Sequence, residues 1–197
     1  SWFSRKRLMN VWYSLSDIPG NEASVVTIGN FDGMHNGHKK VVSTCIERAH
    51  KLGVDAVAIT FDPHPIQVHK PEVGLQLISP LRDRLDAMAA AGLDATLVAH
   101  YDASVYSLEA EEFVYEYLVE RCGAREVVVG EDFRFGRANA GTIDTLRELG
   151  SRYGFGVITV TDIEAPEGRR WSSSWVRELL AAGDVAGAAR VLGHLHR

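Results

Sequence analysis

Short β-branched runs alternate with amphipathic stretches along most of the chain. Val25-Val26-Thr27-Ile28, ended by Gly29, reads as a buried strand. Gly37 to Leu52 follows as a helix, with Val41, Val42, Cys45, Ile46 and Ala49 at helical spacing and Gly53 as its stop. Ala56 to Phe61 reads as a second strand, and Leu81 to Ala91 as a second helix that Ser79 caps, Pro80 opens and Gly92 ends. Ala95 to Ala99 is a third strand. Ala110 to Arg121 is a helix with Ser107 or Glu109 near its start. Glu126 to Val129, the helix Thr142 to Tyr153 and the strand Val157 to Val160 continue the alternation. Ser174 to Ala181 and Val185 to Leu192 read as closing helices, the second capped by Asp184 and stopped by Gly193.

Strands alternating with helices predict an α/β domain, a doubly wound parallel sheet of about five strands covered on both faces. Right-handed crossovers bring the strand-to-helix loops to one edge. Ligands of such sheets bind there, near the switch in strand order. One connection breaks the pattern. Asp62 to Ser79 is long and weakly patterned, with Pro63, Pro65 and Pro71 in it and Pro80 at its end. Loops of that length in a compact domain are usually functional or disordered. No internal repeat or low-complexity tract is present.

Composition changes this picture little: 197 residues, 46% hydrophobic and 24% charged, suit one globular α/β domain. The net charge of −5 argues against a nucleic-acid surface, so an anionic ligand needs a locally basic pocket. Cys45 and Cys122 lie in helical patterns without CxxC spacing and read as free buried thiols of a reducing compartment. No apolar run is long enough to span a bilayer, and the basic residues Arg5, Lys6 and Arg7 precede no apolar core of a secretory signal. The expected setting is the cytoplasm, with no membrane and no nucleic-acid partner.

Two segments carry candidate chemistry. The first is Gly29-Asn30-Phe31-Asp32-Gly33-Met34-His35-Asn36-Gly37-His38, where the first strand hands over to the first helix. Its glycines allow close backbone approach, and a helix start offers free N–H groups to phosphate. His35 and His38, three apart, fall on one side of a helical turn and suit hydrogen bonding to charge on an attacked phosphorus. A metal pair and satisfied structural histidines remain open alternatives. Neither Gly-Lys-Ser/Thr nor Gly-x-Gly-x-x-Gly is present in this segment, which sets aside a Walker A loop and a dinucleotide fingerprint. The second segment is Arg169-Arg170-Trp171-Ser172-Ser173-Ser174-Trp175-Val176-Arg177, after the last strand. Capping explains one serine of such a run; several hydroxyls with flanking arginines suit phosphate. Arg134, Arg137, Arg169, Arg170, Arg177 and Lys39 are expected at the same edge, where they would offset the chain's negative charge.

Taken together, Gly-x-Phe-Asp-Gly-x-His-x-Gly-His and the later Ser-Ser-Ser-x-x-Arg resemble the adenylyltransferase module of bacterial FAD synthetase, the bifunctional riboflavin kinase/FMN adenylyltransferase family. Thr60-Phe61-Asp62-Pro63-His64-Pro65 and Val127-Val128-Val129-Gly130-Glu131-Asp132-Phe133-Arg134-Phe135-Gly136 resemble two further stretches of that family and point to its flavin branch. The resemblance spans about Val11 to Gly193, with residues 1–10 as a tail and 194–197 as an end, and the family's kinase module, which would begin just after Gly193, is expected to be absent. It implies a Rossmann-like nucleotidyltransferase fold and the reaction of FMN with ATP to FAD and pyrophosphate, with Mg²⁺. His35 and His38 match the pair that holds ATP phosphates, amid Gly29, Asn30, Phe31, Asp32 and Gly37. Ser173, Ser174 and Arg177 match the late phosphate-binding element. His64 and Pro65 match a loop near the reacting groups, and Asp132, Phe133 and Arg134 an element that contributes to the site. His69 stands where the family commonly has an aromatic residue, and Trp171 and Trp175 depart from it as well. The alternatives are another nucleotidyltransferase, acting on pantetheine phosphate or a nicotinamide mononucleotide, and a non-catalytic flavin- or nucleotide-binding module.

Overall fold

A computed structural model describes residues 8–31, 36–73 and 80–161. It contains six strands: β1 (Asn10–Trp12), β2 (Ser24–Ile28), β3 (Asp55–Asp62), β4 (Ala95–His100), β5 (Ala124–Gly130) and β6 (Gly156–Val160). They form one sheet in the order β1-β4-β3-β2-β5-β6, and every pair is parallel. The helices are α1 (Asn36–Leu52), α2 (Pro65–His69), α3 (Leu81–Ala91), α4 (Ala103–Tyr106), α5 (Ala110–Phe113) and α6 (Ile143–Tyr153).

The alternation of strand residues sorts the core into two layers. Val26, Ile28, Val57, Ile59, Val127 and Val129 pack with Phe113, Leu118, Leu146 and Leu149 on one face. Val25, Ala56, Ala58 and Val128 pack with Val41, Val42, Cys45 and Met88 on the other. Thus α1 and α3 cover one side, and α5 and α6 the other. Burying each large aliphatic side chain contributes roughly 1.5–3 kcal/mol. Gly92, expected to stop a helix, does so in a left-handed conformation at φ 105°, and Gly154 ends α6 in the same way at φ 91°.

The expected parallel sheet and the helices up to Tyr153 are present. A sixth strand is added to the five expected. At three residues and on the sheet edge, β1 carries too little pattern to read. The stretch Asp62 to Ser79 holds the short helix α2 and a turn of 3-10 helix at Pro71–Val73. Beyond Phe113, α5 continues as Val114–Arg121 in wider π-helical turns, closed by Cys122 N–H donating to Tyr117 O at 3.0 Å. The first residue of α3 follows Pro80, which occupies the capping position and offers no side-chain bond. The expected cap Ser79 and the closing helices from Ser174 lie outside the described residues.

The chain runs outward from β2 through β3 to β4, then returns to place β5 on the other side of β2. The order therefore reverses between β2 and β5. In an open parallel sheet this is where the loops leaving two neighbouring strands part and open a crevice.

Candidate active site

Three connections meet at this edge. The first leaves β2. Gly29 N–H still donates to Ile59 O at 3.0 Å, so the turn begins from a paired strand. Asn30 and Phe31 are buried, and Phe31 has φ 52°. A left-handed conformation is uncommon for a bulky residue, costs about 1–3 kcal/mol and persists only where the surroundings impose it. Its ring meets the buried ring of His38 edge-on, with centroids 5.7 Å apart. His38 lies in the first turn of α1, as does Gly37. Asp32 and His35 lie outside the described residues.

The second connection leaves β3. His64 is buried and caps α2: its Nδ1 accepts from Ile66 N–H at 3.1 Å, and its own N–H donates to Gln67 Oε1 at 3.0 Å. Pro65 opens that helix. Beneath both connections sits Arg84, delivered by α3 and only 2% exposed. Its Nη1 donates to Asn30 O at 3.0 Å, Thr60 Oγ1 at 3.2 Å and Phe61 O at 3.2 Å. Its Nη2 lies 3.7 Å from an Asp62 carboxylate oxygen. The Thr60 hydroxyl in turn donates to Asn30 O at 3.1 Å.

The third connection leaves β5. Phe133 and Phe135 stack with centroids 5.4 Å apart and planes within 10°, and Phe113 of α5 closes on Phe135 at 6.2 Å. Gly136 lets this loop press onto α5, since a Cβ there would stand 2.9 Å from the Ala110 backbone and φ is 76°. Arg137, expected among the basic residues of the site, instead lies exposed and pairs with Glu109 at 3.4 Å. Lys39 is exposed on α1.

A cavity of about 600 Å³ joins the three connections, a volume typical of small-molecule sites. Asn30, Pro65, Asp132, Phe133 and Arg134 line it, so five of the residues singled out by sequence converge there. Phe61, His69, Tyr101, Tyr106, Phe113 and Phe135 give it an aromatic wall. His69 Nε2 and the Tyr101 hydroxyl are 2.7 Å apart, and Tyr106 packs against both rings. Burial, and secondarily Tyr106, push the Tyr101 phenol above its ordinary pKa, so it keeps its proton at neutral pH. Arg134 also borders a shallower recess of about 350 Å³ with Thr142 and Arg147.

Neither thiol belongs to this chemistry. Burial pushes Cys45 and Cys122 up to about 12, far from a thiolate at neutral pH. Ser173, Ser174, Arg177, Arg169, Arg170, Trp171 and Trp175 lie outside the described residues.

Arg84, Tyr101 and Tyr106 escaped the reading of the sequence. For Arg84 a signal existed: it shares the stripe of Leu81, Leu85 and Met88, and a charge on the buried stripe of a helix needs a partner inside. Tyr101 and Tyr106 sit in a connection with no motif, and only the folded chain brings them to the cavity.

The profile of a family described as FAD synthetase matches residues 17–175. The chain belongs to the FAD synthetase family. Among curated relatives, the bifunctional riboflavin kinase/FMN adenylyltransferase of Escherichia coli (strain K12) is 34% identical over 188 residues, covering 95% of this chain and 59% of that protein. The Pseudomonas fluorescens protein of the same name is 37% identical over 91% of this chain and 57% of its own length. This FAD synthetase family chain thus spans less than two thirds of those relatives. A putative bifunctional riboflavin kinase/FMN adenylyltransferase of Geobacillus thermodenitrificans is 37% identical, and the match covers 91% of it. Among solved structures, one named a macrolide-efflux protein, from Streptococcus pneumoniae, superposes with a TM-score of 0.73 at 26% identity, covering 94% of this chain and 61% of that one. A pantoate-beta-alanine ligase from Francisella tularensis shares the fold, with a TM-score of 0.55 at 14% identity over 92% of this chain and 77% of its own. Among the described residues no helix is long and apolar enough to cross a membrane.

Proposed function

We propose that residues 11–193 transfer the AMP moiety of ATP to FMN, giving FAD and pyrophosphate. The observation that carries this reading is a cavity in which an aromatic wall adjoins Asn30, in the connection leaving β2. A planar flavin ring suits the faces and edges of Phe61, Tyr101, Tyr106 and Phe135. Lys70 and Arg134, also at the cavity, suit the FMN phosphate. The relatives' names carry FMN adenylyltransferase activity, which fits the same ligand.

In this reading an oxygen of the FMN phosphate attacks the α-phosphorus of ATP in line. The new P–O–P linkage forms as the bond between the α-phosphorus and the bridging oxygen breaks, and pyrophosphate leaves with that electron pair. A phosphate monoester with a second pKa of about 6 is already dianionic at neutral pH, so no protein base is required. His35 and His38, Ser173, Ser174 and Arg177 hold the phosphates and the developing charge; Gly29, Asn30, Phe31, Asp32 and Gly37 shape the loop around ATP. His64, Pro65, Asp132, Phe133 and Arg134 border the acceptor. Mg²⁺ ordinarily binds through substrate phosphates and one or two carboxylates, and Asp132, which lines the cavity, would supply one. When bound, the cation neutralises phosphate charge and orients the pyrophosphate.

The purified chain, incubated with FMN and MgATP, should release pyrophosphate and form FAD, seen by chromatography and by loss of flavin fluorescence. Absence of FAD alongside turnover of a different phosphate acceptor would overturn the choice of FMN; binding of both ligands with no pyrophosphate would favour a non-catalytic module. A phosphate-binding donor contributes about 3–4 kcal/mol to the transition state, so His38→Ala should lower turnover by roughly a hundredfold or more. An unchanged rate would remove His38 from the mechanism.

A further inference from the structure

We propose that Arg84 is a positioning residue: its buried guanidinium locks the loop after β2 to the loop after β3, and so sets the ATP-binding conformation. The role rests on the nucleotidyl-transfer reading of the site, and it is carried by geometry among described residues. The carbonyl of Asn30 belongs to the peptide whose orientation defines φ of Phe31. That carbonyl accepts from Arg84 Nη1 at 3.0 Å and from Thr60 Oγ1 at 3.1 Å. Phe31 is held at φ 52° and packs edge-on to His38. The same Nη1 takes Phe61 O, at the end of β3 and next to Asp62, Pro63 and His64.

One side chain therefore ties the loop leaving β2 to the end of β3, on one side of the crevice. Alternatives for those two carbonyls are few. Asn30 is buried and lines the cavity. Without the guanidinium, the Asn30–Phe31 peptide keeps the Thr60 bond but loses its charged donor, and a left-handed aromatic so loosened relaxes toward an ordinary φ. Phe31 would then move away from His38, which lies in the first turn of α1. Arginine suits the task because its planar fork remains charged when buried and reaches several acceptors at once; lysine offers the charge on a single point.

Turnover, KM for ATP and FMN, and the urea midpoint would be measured for wild type, Arg84→Met, Arg84→Lys and Thr60→Val, at temperatures where circular dichroism reports a folded chain. Folded Arg84→Met should lose at least tenfold in kcat and raise KM for ATP more than KM for FMN. Arg84→Lys should recover part of kcat. Lower stability with unchanged kcat and KM would overturn the proposal, since a purely structural arginine would give that result. Should Arg84→Met fail to fold, Thr60→Val decides: it removes the hydroxyl between Asn30 O and the guanidinium, and is expected to lower kcat several-fold, whereas wild-type kinetics would overturn the proposal. A wild-type chain that makes no FAD would overturn the reaction instead. The clamp would then be read from affinity for a non-hydrolysable ATP analogue, weakened tenfold or more in Arg84→Met if it sets the loop and unaltered if it does not.

Discussion

On the β3 side of the cavity, chain ends are held by one buried guanidinium and its acceptors; on the β5 side they are held by stacked rings. Arg84 makes directed bonds to Asn30 O, Thr60 Oγ1 and Phe61 O. Phe133, Phe135 and Phe113 make broad contacts with little directional demand. The polar side fails abruptly, because removing the guanidinium takes a charged donor from Phe61 O and from Asn30 O, which keeps the Thr60 hydroxyl. The aromatic side fails by degrees, because a smaller apolar side chain still fills part of the space and strands no polar group. A loop that must present backbone groups at set angles gains from directed bonds. A wall that must accept a flat apolar ring gains from surfaces that adjust.

Arg84→Met breaks the comparison hardest. Removing a buried charged partner typically costs about 3–5 kcal/mol, and urea unfolding should show a loss of that size. Gly136→Ala comes next. It places a Cβ against the Ala110 backbone at a positive φ, and calorimetry should report a loss of up to about 3 kcal/mol, because even the apolar side has one rigid backbone contact. Phe135→Leu should cost only about 1 kcal/mol by urea unfolding, as an apolar swap in an adjustable wall does. A loss as large as that of Arg84→Met would erase the contrast between the two sides. Arg137→Ala removes an ion pair whose side chains are 69% and 59% exposed, and should shift stability by less than about 0.5 kcal/mol in the same titration.

Much of this was legible before folding. The strands β2 to β6 and the helices α1, α3, α5 and α6 announce themselves because each must bury an apolar face at a period of its own. The edge strand β1 and the short helices α2 and α4 do not, since three to five residues cannot display a period. Within the site, Asn30, Pro65, Asp132, Phe133 and Arg134 were visible as members of recurring segments, and they meet at one cavity. Tyr101 and Tyr106 belong to no segment of that kind. His69, noticed only as a departure, gains a partner in Tyr101, 32 positions along the chain.

The sequence by itself determined the alternation of elements, the parallel sheet that follows from it, and the family, because local periodicity and short motifs depend on neighbours along the chain. Tertiary structure alone decided that β5 returns beside β2, which opens the crevice between loops a hundred residues apart in sequence. It also decided that an arginine from α3 ends beneath the connections leaving β2 and β3, bonded to both at once. Those facts depend on which surfaces pack together, and no spacing along the chain encodes them.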